Sequence, residues 1–354
     1  MSLLDDTIGR IKSQDAGWRA MARTRLEKLT MPHWALGRLM DLAEDLAGMT
    51  RSIPPVIQRK AVAVFAADHG VALDGVSRYP REVTQQMVHN FVRGGAGINV
   101  LARLAGARVV VVDMGVAGDL SGLAREGKIV SHHVADGTAN IAKGPAMTPE
   151  QARRCLEAGI EVALQLGKDA DLLATGEMGI GNTTPSSAIV AAVAGVAAEG
   201  VTGGGTGVEN TQFLRKMEII NHALEINRPD SHDGLDLLAK VGGFEIGGIA
   251  GLILGAAAQG KPVLVDGFIS TAGALVAQRL SQASTDYMIA AHRSAERGHR
   301  IALVHLGKQP LLDLDLRLGE GTGAALAMNL VEAAARILTE VATFEEAAVS
   351  GANA

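Results

Sequence analysis

The chain of 354 residues carries 33 basic and 38 acidic side chains, giving a formal net charge of −5. A hydrophobic share of 47% excludes a disordered chain, and the mild acidic excess argues against nucleic-acid binding. One cysteine, Cys155, excludes an internal disulfide. Because the longest charge-free apolar stretch, residues 246–258, falls short of the about 20 residues of a membrane span, and the N-terminus lacks a basic leader, we expect a cytoplasmic protein without a membrane partner.

The predicted elements begin with helices, since residues 1–50 show helical patterning and no strand. We predict strands at five short aliphatic runs, residues 61–68, 108–113, 171–175, 262–266 and 287–291. Helical patterns lie among these runs at residues 82–104, 148–166, 187–198 and 244–258, and the last helical segment covers residues 322–349. Because near-continuous apolar runs are typical of strands buried on both faces, the strands should form a parallel sheet.

This alternation predicts an α/β fold, a Rossmann-like parallel sheet flanked by helices. We expect residues 51–321 to form a large α/β catalytic domain. The helical ends, residues 1–50 and 322–354, should pack together as a small second domain made from both chain termini.

Four glycine-rich segments occur in the predicted loops, at residues 68–80, 175–185, 202–207 and 317–323. Such loops suit an anion, because backbone N–H groups can approach a phosphate closely and the dipole of a following helix favours negative charge. The hydroxyls of Thr183, Thr184 and Thr206 and the cation of Lys216 would complete a phosphate cradle. The alternative is that these Gly-Thr pairs only form turns and helix caps.

Two carboxylates, Glu177 and Glu320, lie beside glycines in these loops. In a partly desolvated pocket the pKa of a carboxylate rises, which makes the group a competent general base. The alternative is an acid that only interacts with a helix N-terminus, and for Glu320 the residues alone leave both interpretations open.

The ten histidines give no convincing metal site. His132 and His133 adjoin on an apparent strand, where neighbouring side chains point to opposite faces. We expect His292, Glu296 and His299 to share an exposed polar helical face. For Asp68 and His69 the residues leave a turn cap or a functional role open, and Ser294 near His292 lacks the loop of a serine nucleophile.

Seven ordered segments together resemble one family. They are residues 68–70, 75–84, 93–95, 176–185, 241–248, 265–268 and 317–327. The chain resembles the nicotinate-nucleotide:dimethylbenzimidazole phosphoribosyltransferases from about Arg25 to Ser350. The resemblance implies transfer of the phosphoribosyl group of nicotinate mononucleotide to 5,6-dimethylbenzimidazole, which yields α-ribazole 5′-phosphate and nicotinate for the lower ligand of cobalamin. It also implies a homodimer, no cofactor and no metal.

By this resemblance Glu320 would be the general base and Glu177 would lie near the ribose and nicotinate. The implied substrate-binding residues are Tyr79, Gln86, Met87, Gly176, Met178, Gly179, Thr183, Thr184, Gly203, Gly205, Lys216, Asp266, Ser294, Arg317 and Leu318. In the family a glutamine aligns with Met87, whereas the glutamine of this chain is Gln86. The exact contacts to the acceptor base therefore stay open.

Two other functions remain open from the residues. One is a phosphoribosyltransferase or glycosidase of the same fold acting on a purine nucleotide, because apolar pockets discriminate only by about 1–3 kcal/mol per methylene. The other is a nucleotide sensor that binds without turnover. A sensor would be expected to lack a catalytic carboxylate, whereas both Glu177 and Glu320 are present.

Overall fold

The computed structural model describes residues 2–203 and 210–350. In this part of the chain the strands are β1 (Lys60–Ala67), β2 (Ala107–Gly115), β3 (Val130–Ser131), β4 (Leu172–Met178), β5 (Val263–Val265) and β6 (Met288–Ala290). The helices are α1 (Leu3–Arg10), α2 (Ala16–Leu26), α3 (Arg38–Thr50), α4 (Val83–Arg93), α5 (Gly97–Ala105), α6 (Ser121–Arg125), α7 (Pro149–Leu166), α8 (Thr183–Ala194), α9 (Ala198–Val201), α10 (Asn210–Asn227), α11 (Gly234–Val241), α12 (Phe244–Ala258), α13 (Phe268–Leu280), α14 (Arg297–Leu306) and α15 (Thr322–Glu340).

The six strands form one sheet in the order β3-β2-β1-β4-β5-β6, and every pair of neighbours is parallel. This order reverses direction between β1 and β4, which is the Rossmann arrangement. The predicted fold class, a parallel sheet flanked by helices, is therefore confirmed.

Both faces of the sheet are covered by helices. Along β1, Ala61, Ala63 and Phe65 join the core beneath α7, α8, α11, α12 and α13, whereas Val62 and Val64 join the core beneath α2, α3, α5 and α15. Successive strand residues point to opposite faces, so a strand buried on both sides must be apolar throughout. This explains why the strands read as continuous aliphatic runs.

Several predicted bounds need correction. The helix predicted over residues 82–104 is two helices, because Gly94 adopts a left-handed conformation with φ +81° and ends α4. The helix predicted over residues 187–198 is α8, which begins earlier. His132 and His133 follow the two-residue strand β3 and do not lie on it.

The terminal helices lie on the sheet in two places. Helices α2, α3 and α15 contact one another and share the core under one face, while α1 contacts α7 and α12 on the opposite side. The division into a small and a large domain stays a prediction. Among the described residues, no helix is both long and apolar enough to cross a membrane.

Candidate functional site

A cavity of about 380 Å³ opens at the carboxyl ends of the strands. Its wall is formed by the segments that follow β1, β4, β5 and β6, together with α4, Lys216 of α10 and the turn that precedes α15. Because β1 and β4 flank the point where the strand order reverses, the cavity occupies the usual ligand position of an open α/β sheet.

Glu320 lies in a strained turn on the cavity wall. Gly319, Glu320 and Gly321 have φ values of +82°, +62° and +91°. Glycine adopts such left-handed values easily, whereas they are unfavourable for the side chain of Glu320. The side chain reaches the N-terminus of α5, where its Oε2 accepts a hydrogen bond of 3.1 Å from the N–H of Ile98. Burial raises the pKa of Glu320, and the backbone N–H donors of Ile98 and Gly97 oppose this rise.

Glu177, at the end of β4, lies directly beneath this turn. A Cβ added to Gly319 would fall 2.1 Å from Oε1 of Glu177, and one added to Gly176 would fall 2.4 Å from the carbonyl oxygen of Glu320. The two glycines therefore allow both carboxylate-bearing segments to pack closely. Burial, followed by the charges of Asp266 and Glu245, raises the pKa of Glu177 to about 8.

The opposite end of the cavity can hold an anion. Lys216 is buried, and its Nζ donates a hydrogen bond of 2.7 Å to Oγ1 of Thr183, the first residue of α8. A cation beside a helix N-terminus favours the binding of a phosphate group, because both contribute positive charge. Burial lowers the pKa of Lys216 to about 8, while the charge of Glu296 opposes this shift.

The mouth of the cavity combines exposed apolar side chains with the exposed side chains of Arg78 and Arg317. Tyr79 and Leu318 are more than half exposed, and Met87 of α4 also lines the cavity as a half-buried side chain. Exposed apolar side chains around a cavity suit a flat apolar ring.

The structure brings most of the predicted site residues together. Those that line the cavity are Tyr79, Met87, Glu177, Met178, Gly179, Thr183, Lys216, Ser294, Arg317, Leu318 and Glu320. Gln86 is exposed and does not line it, because successive helix residues are rotated by about 100° and α4 presents Met87 instead. Gly205 lies outside the described residues.

Four other predicted residues lie behind the wall. Gly176 contacts the Glu320 turn, Thr184 is fully buried, and Gly203 packs against the carboxylate of Glu296. Asp266 is buried, and its carboxylate accepts hydrogen bonds from the N–H groups of Gly321 and Ala324 at 3.3 and 2.8 Å. Asp266 therefore holds the start of α15, next to Glu320.

The expectation of an exposed polar face at His292, Glu296 and His299 is wrong. All three are buried, and they occupy a loop, the N-cap of α14 and the helix itself. His299 accepts a hydrogen bond of 2.8 Å at Nδ1 from the N–H of Ser294, and burial lowers its pKa to about 3. His292 and Glu296 both line the cavity.

His69 also lies in the interior. Its Nε2 is 2.8 Å from Oε1 of Glu245, and both side chains are almost completely buried. This pair supports the loop behind Gly179, since a Cβ added to Gly179 would lie 3.1 Å from Nε2 of His69. The described residues contain no group of three His, Cys, Asp or Glu side chains able to hold a metal ion.

Sequence reasoning missed two residues that organise the site. Asn182 donates a hydrogen bond from its side-chain amide to Oε2 of Glu177. Thr84 accepts a hydrogen bond of 3.1 Å from the N–H of Ile180 and so links α4 to the loop after β4. Asn182 lies in a glycine-rich segment and Thr84 in a segment that carries the family resemblance, but their partners were not visible, because both contacts depend on the folded loop.

Comparisons with known proteins place these features in a family. A family model described as phosphoribosyltransferase matches residues 11–349. A curated relative from Syntrophotalea carbinolica is 64% identical over 350 residues, covering 99% of each chain, and one from Desulfotalea psychrophila is 56% identical over 351 residues with the same coverage. Both are named nicotinate-nucleotide–dimethylbenzimidazole phosphoribosyltransferase. A crystal structure of the Thermus thermophilus protein described by that activity has 48% identity and a TM-score of 0.89, covering 96% of this chain and 100% of that one.

Proposed function

Because the chain belongs to the nicotinate-nucleotide–dimethylbenzimidazole phosphoribosyltransferase family, we propose that it transfers the phosphoribosyl group of nicotinate mononucleotide to 5,6-dimethylbenzimidazole. The products are α-ribazole 5′-phosphate and nicotinate, in the assembly of the lower ligand of cobalamin. The observation that carries this proposal is one cavity whose lining includes the buried Lys216, two buried carboxylates and exposed apolar side chains.

In the proposed reaction the donor phosphate binds Lys216 and Thr183 at the N-terminus of α8. A nitrogen lone pair of the benzimidazole forms the new bond to the anomeric carbon. The electrons of the broken bond stay on the ring nitrogen of nicotinate, so the pyridinium departs as a neutral ring. Glu320 takes the proton from the other benzimidazole nitrogen, and its raised pKa makes the carboxylate a stronger base for this step.

We assign Glu177 to the ribose side of the cavity. Phosphoribosyl transfer develops positive charge at the anomeric carbon, and an ionised carboxylate beside that carbon stabilises the charge. Tyr79, Met87 and Leu318 would contact the acceptor ring at the mouth. These roles are proposals that the following experiments test.

The direct test incubates purified protein with nicotinate mononucleotide and dimethylbenzimidazole, followed by chromatography and mass measurement. We expect nicotinate and ribazole phosphate in equal amounts. Adenine offered in competition tests the purine alternative, and a preference for adenine would overturn the acceptor assignment. Nicotinate without ribazole phosphate would indicate a hydrolase, and binding without any turnover would favour a sensor.

A homodimer and a cytoplasmic location stay predictions. The first implies a molecular mass in solution of twice the 36.7 kDa of one chain, which light scattering measures. On α5, Val100 and Leu104 are exposed apolar residues one turn apart, a feature that a second copy could cover.

A further inference from the structure

Four buried carboxylates lie close enough in the site to influence one another. They are Glu177, Glu245, Asp266 and Glu320. A buried carboxylate is costly unless it accepts hydrogen bonds or pairs with a cation. Each of the four therefore needs an identifiable donor.

Three of the carboxylates have donors that do not depend on Asn182. Asp266 accepts from backbone N–H groups at the start of α15, Glu320 accepts from the N-terminus of α5, and Glu245 pairs with His69. Within residues 2–203 and 210–350, Glu177 has one hydrogen-bond donor, the side-chain amide of Asn182. Among the described residues, Asn182 is therefore the one side chain that stabilises the ionised form of Glu177 by a hydrogen bond.

The position of Asn182 makes this contact unexpected. It is the N-cap residue of α8, where an asparagine side chain usually accepts a hydrogen bond from the N–H groups of the first helical turn. Here the side chain makes no capping bond, and its amide is directed to Glu177 instead. Its backbone is held separately, because its carbonyl accepts a hydrogen bond of 2.8 Å from Oγ of Ser186. The backbone of Asn182 has helical dihedral angles, φ −62° and ψ −21°, so its side chain does not cap α8 and contacts Glu177 instead.

We infer that Asn182 is a positioning residue, which fixes the orientation of the Glu177 carboxylate and favours its ionised form. Asn182 contacts Oε2, while Oε1 lies against Gly319, so the carboxylate is held from two sides. The inference deepens the proposed function and rests on it, since it assigns Asn182 an effect on the proposed reaction through Glu177.

The charges around Glu177 give the direction of this effect. Asp266, Glu245 and Glu320 face it from the residue after β5, from α12 and from the turn before α15, and all three raise its pKa together with burial. The hydrogen bond from Asn182 lowers that pKa. Lys216 and His292 line the same cavity. Without the amide donor, Glu177 would hold its proton to higher pH and would stabilise positive charge on the ribose less well.

The test is a double-mutant cycle of Asn182→Ala with Glu177→Gln, measured as kcat and kcat/KM against pH. We expect Asn182→Ala to lower kcat by about tenfold or more and to move the acidic limb of the profile upward by about one unit. In the Glu177→Gln background the same change should have almost no further effect, because the carboxylate is already gone. Additive losses, or an unmoved acidic limb, would overturn the inference.

Ser186→Ala provides the matched control, since it removes a hydrogen bond at the start of α8 but leaves the Asn182–Glu177 contact intact. We expect its pH profile to match the wild type, and a shift equal to that of Asn182→Ala would assign the effect to a disturbed helix. Asn182→Asp replaces the donor by a second carboxylate against Glu177, so it should move the limb upward further than Asn182→Ala does.

A second readout does not depend on turnover. The ionisation of Glu177 can be followed by infrared difference spectroscopy, with Glu177→Gln to identify its band. The carboxylate should titrate at higher pH in Asn182→Ala than in the wild type, and an unchanged titration would overturn the inference. If the wild-type protein forms no ribazole phosphate, the proposed function fails, whereas this titration still decides the role of Asn182.

Discussion

At the scale of single residues, Glu320 combines backbone strain with a buried acid. A residue other than glycine at φ +62° carries a cost of about 1–3 kcal/mol, which persists only where the surrounding structure enforces it. Here Asp266 binds the N–H of Gly321, and the N-terminus of α5 binds the carboxylate. Strain at a residue that lines a cavity indicates a functional position rather than a helix cap.

We predict that Glu320→Gln lowers kcat by about 100-fold to 10,000-fold, because an amide cannot accept the proton of the acceptor base. The amide keeps the size of the side chain, so the Kd for nicotinate mononucleotide should stay within about threefold of the wild type. Steady-state kinetics and calorimetry measure the two quantities.

Glu340→Gln, an exposed change at the last residue of α15, is the control and should behave as the wild type. A Glu320→Gln variant with ordinary turnover would remove Glu320 from the role of general base. A variant that loses donor binding as well would indicate that the carboxylate organises the cavity.

At the scale of elements, the cavity depends on a link between α4 and the loop after β4. Helix α4 carries Met87 at the mouth, and the loop carries Gly179 next to the anion site. The fully buried hydroxyl of Thr84 accepts the N–H of Ile180 and joins the two. This hydrogen bond connects the two parts of the cavity that we propose to bind the acceptor and the donor.

We predict that Thr84→Val destabilises the protein by about 1–3 kcal/mol, because the isosteric side chain leaves a buried N–H without an acceptor. The displaced loop and helix should raise KM for both substrates. Thermal unfolding and steady-state kinetics with each substrate varied in turn measure these effects.

Thr84→Ser keeps the hydroxyl and should retain most of the wild-type KM values. If Thr84→Val changed stability but neither KM, the link would be structural only. If only one KM changed, α4 and the loop would act independently on their own substrates.

At the scale of the whole molecule, two helical layers bury both faces of the sheet. The titratable groups of the site therefore lie at the carboxyl ends of the strands. The carboxylates of Glu177 and Glu320 have raised pKa values, and the ammonium group of Lys216 has a lowered one. All three shifts have burial as their largest cause. Desolvation thus brings the pKa values of the two carboxyl groups and of the lysine closer together.

We predict a narrow, bell-shaped dependence of kcat/KM for nicotinate mononucleotide on pH. Activity should rise with pH as the carboxylates ionise, and it should fall above about pH 8 as Lys216 loses the proton that binds phosphate. Lys216→Arg should move the basic limb to higher pH, because a guanidinium group stays charged.

Lys143→Arg, an exposed change of the same type, should leave the profile unchanged. A basic limb that stays in place in Lys216→Arg would assign the limb to another group. A flat profile between pH 6 and 10 would contradict a site governed by these three residues.

The sequence by itself determined five of the six strands, their parallel arrangement, the glycine loops and the family, and it missed the two-residue strand β3. Strands buried on both faces must be continuously apolar, so they can be recognised in the sequence. The glycines that permit positive φ or close packing can also be recognised there. The same reasoning singled out Glu177 and Glu320, because they adjoin such glycines. These signals are local, so they can be recognised without knowledge of the fold.

Tertiary structure decided which side chains meet. It buried His292, Glu296 and His299, presented Met87 rather than Gln86 to the cavity, and directed the amide of Asn182 to Glu177. Hydrogen-bond partners, burial and pKa shifts depend on groups brought together from distant segments, and a linear pattern carries no distance between them. The chain thus encodes its glycine loops and acids locally, whereas their ionisation is set by the folded interior.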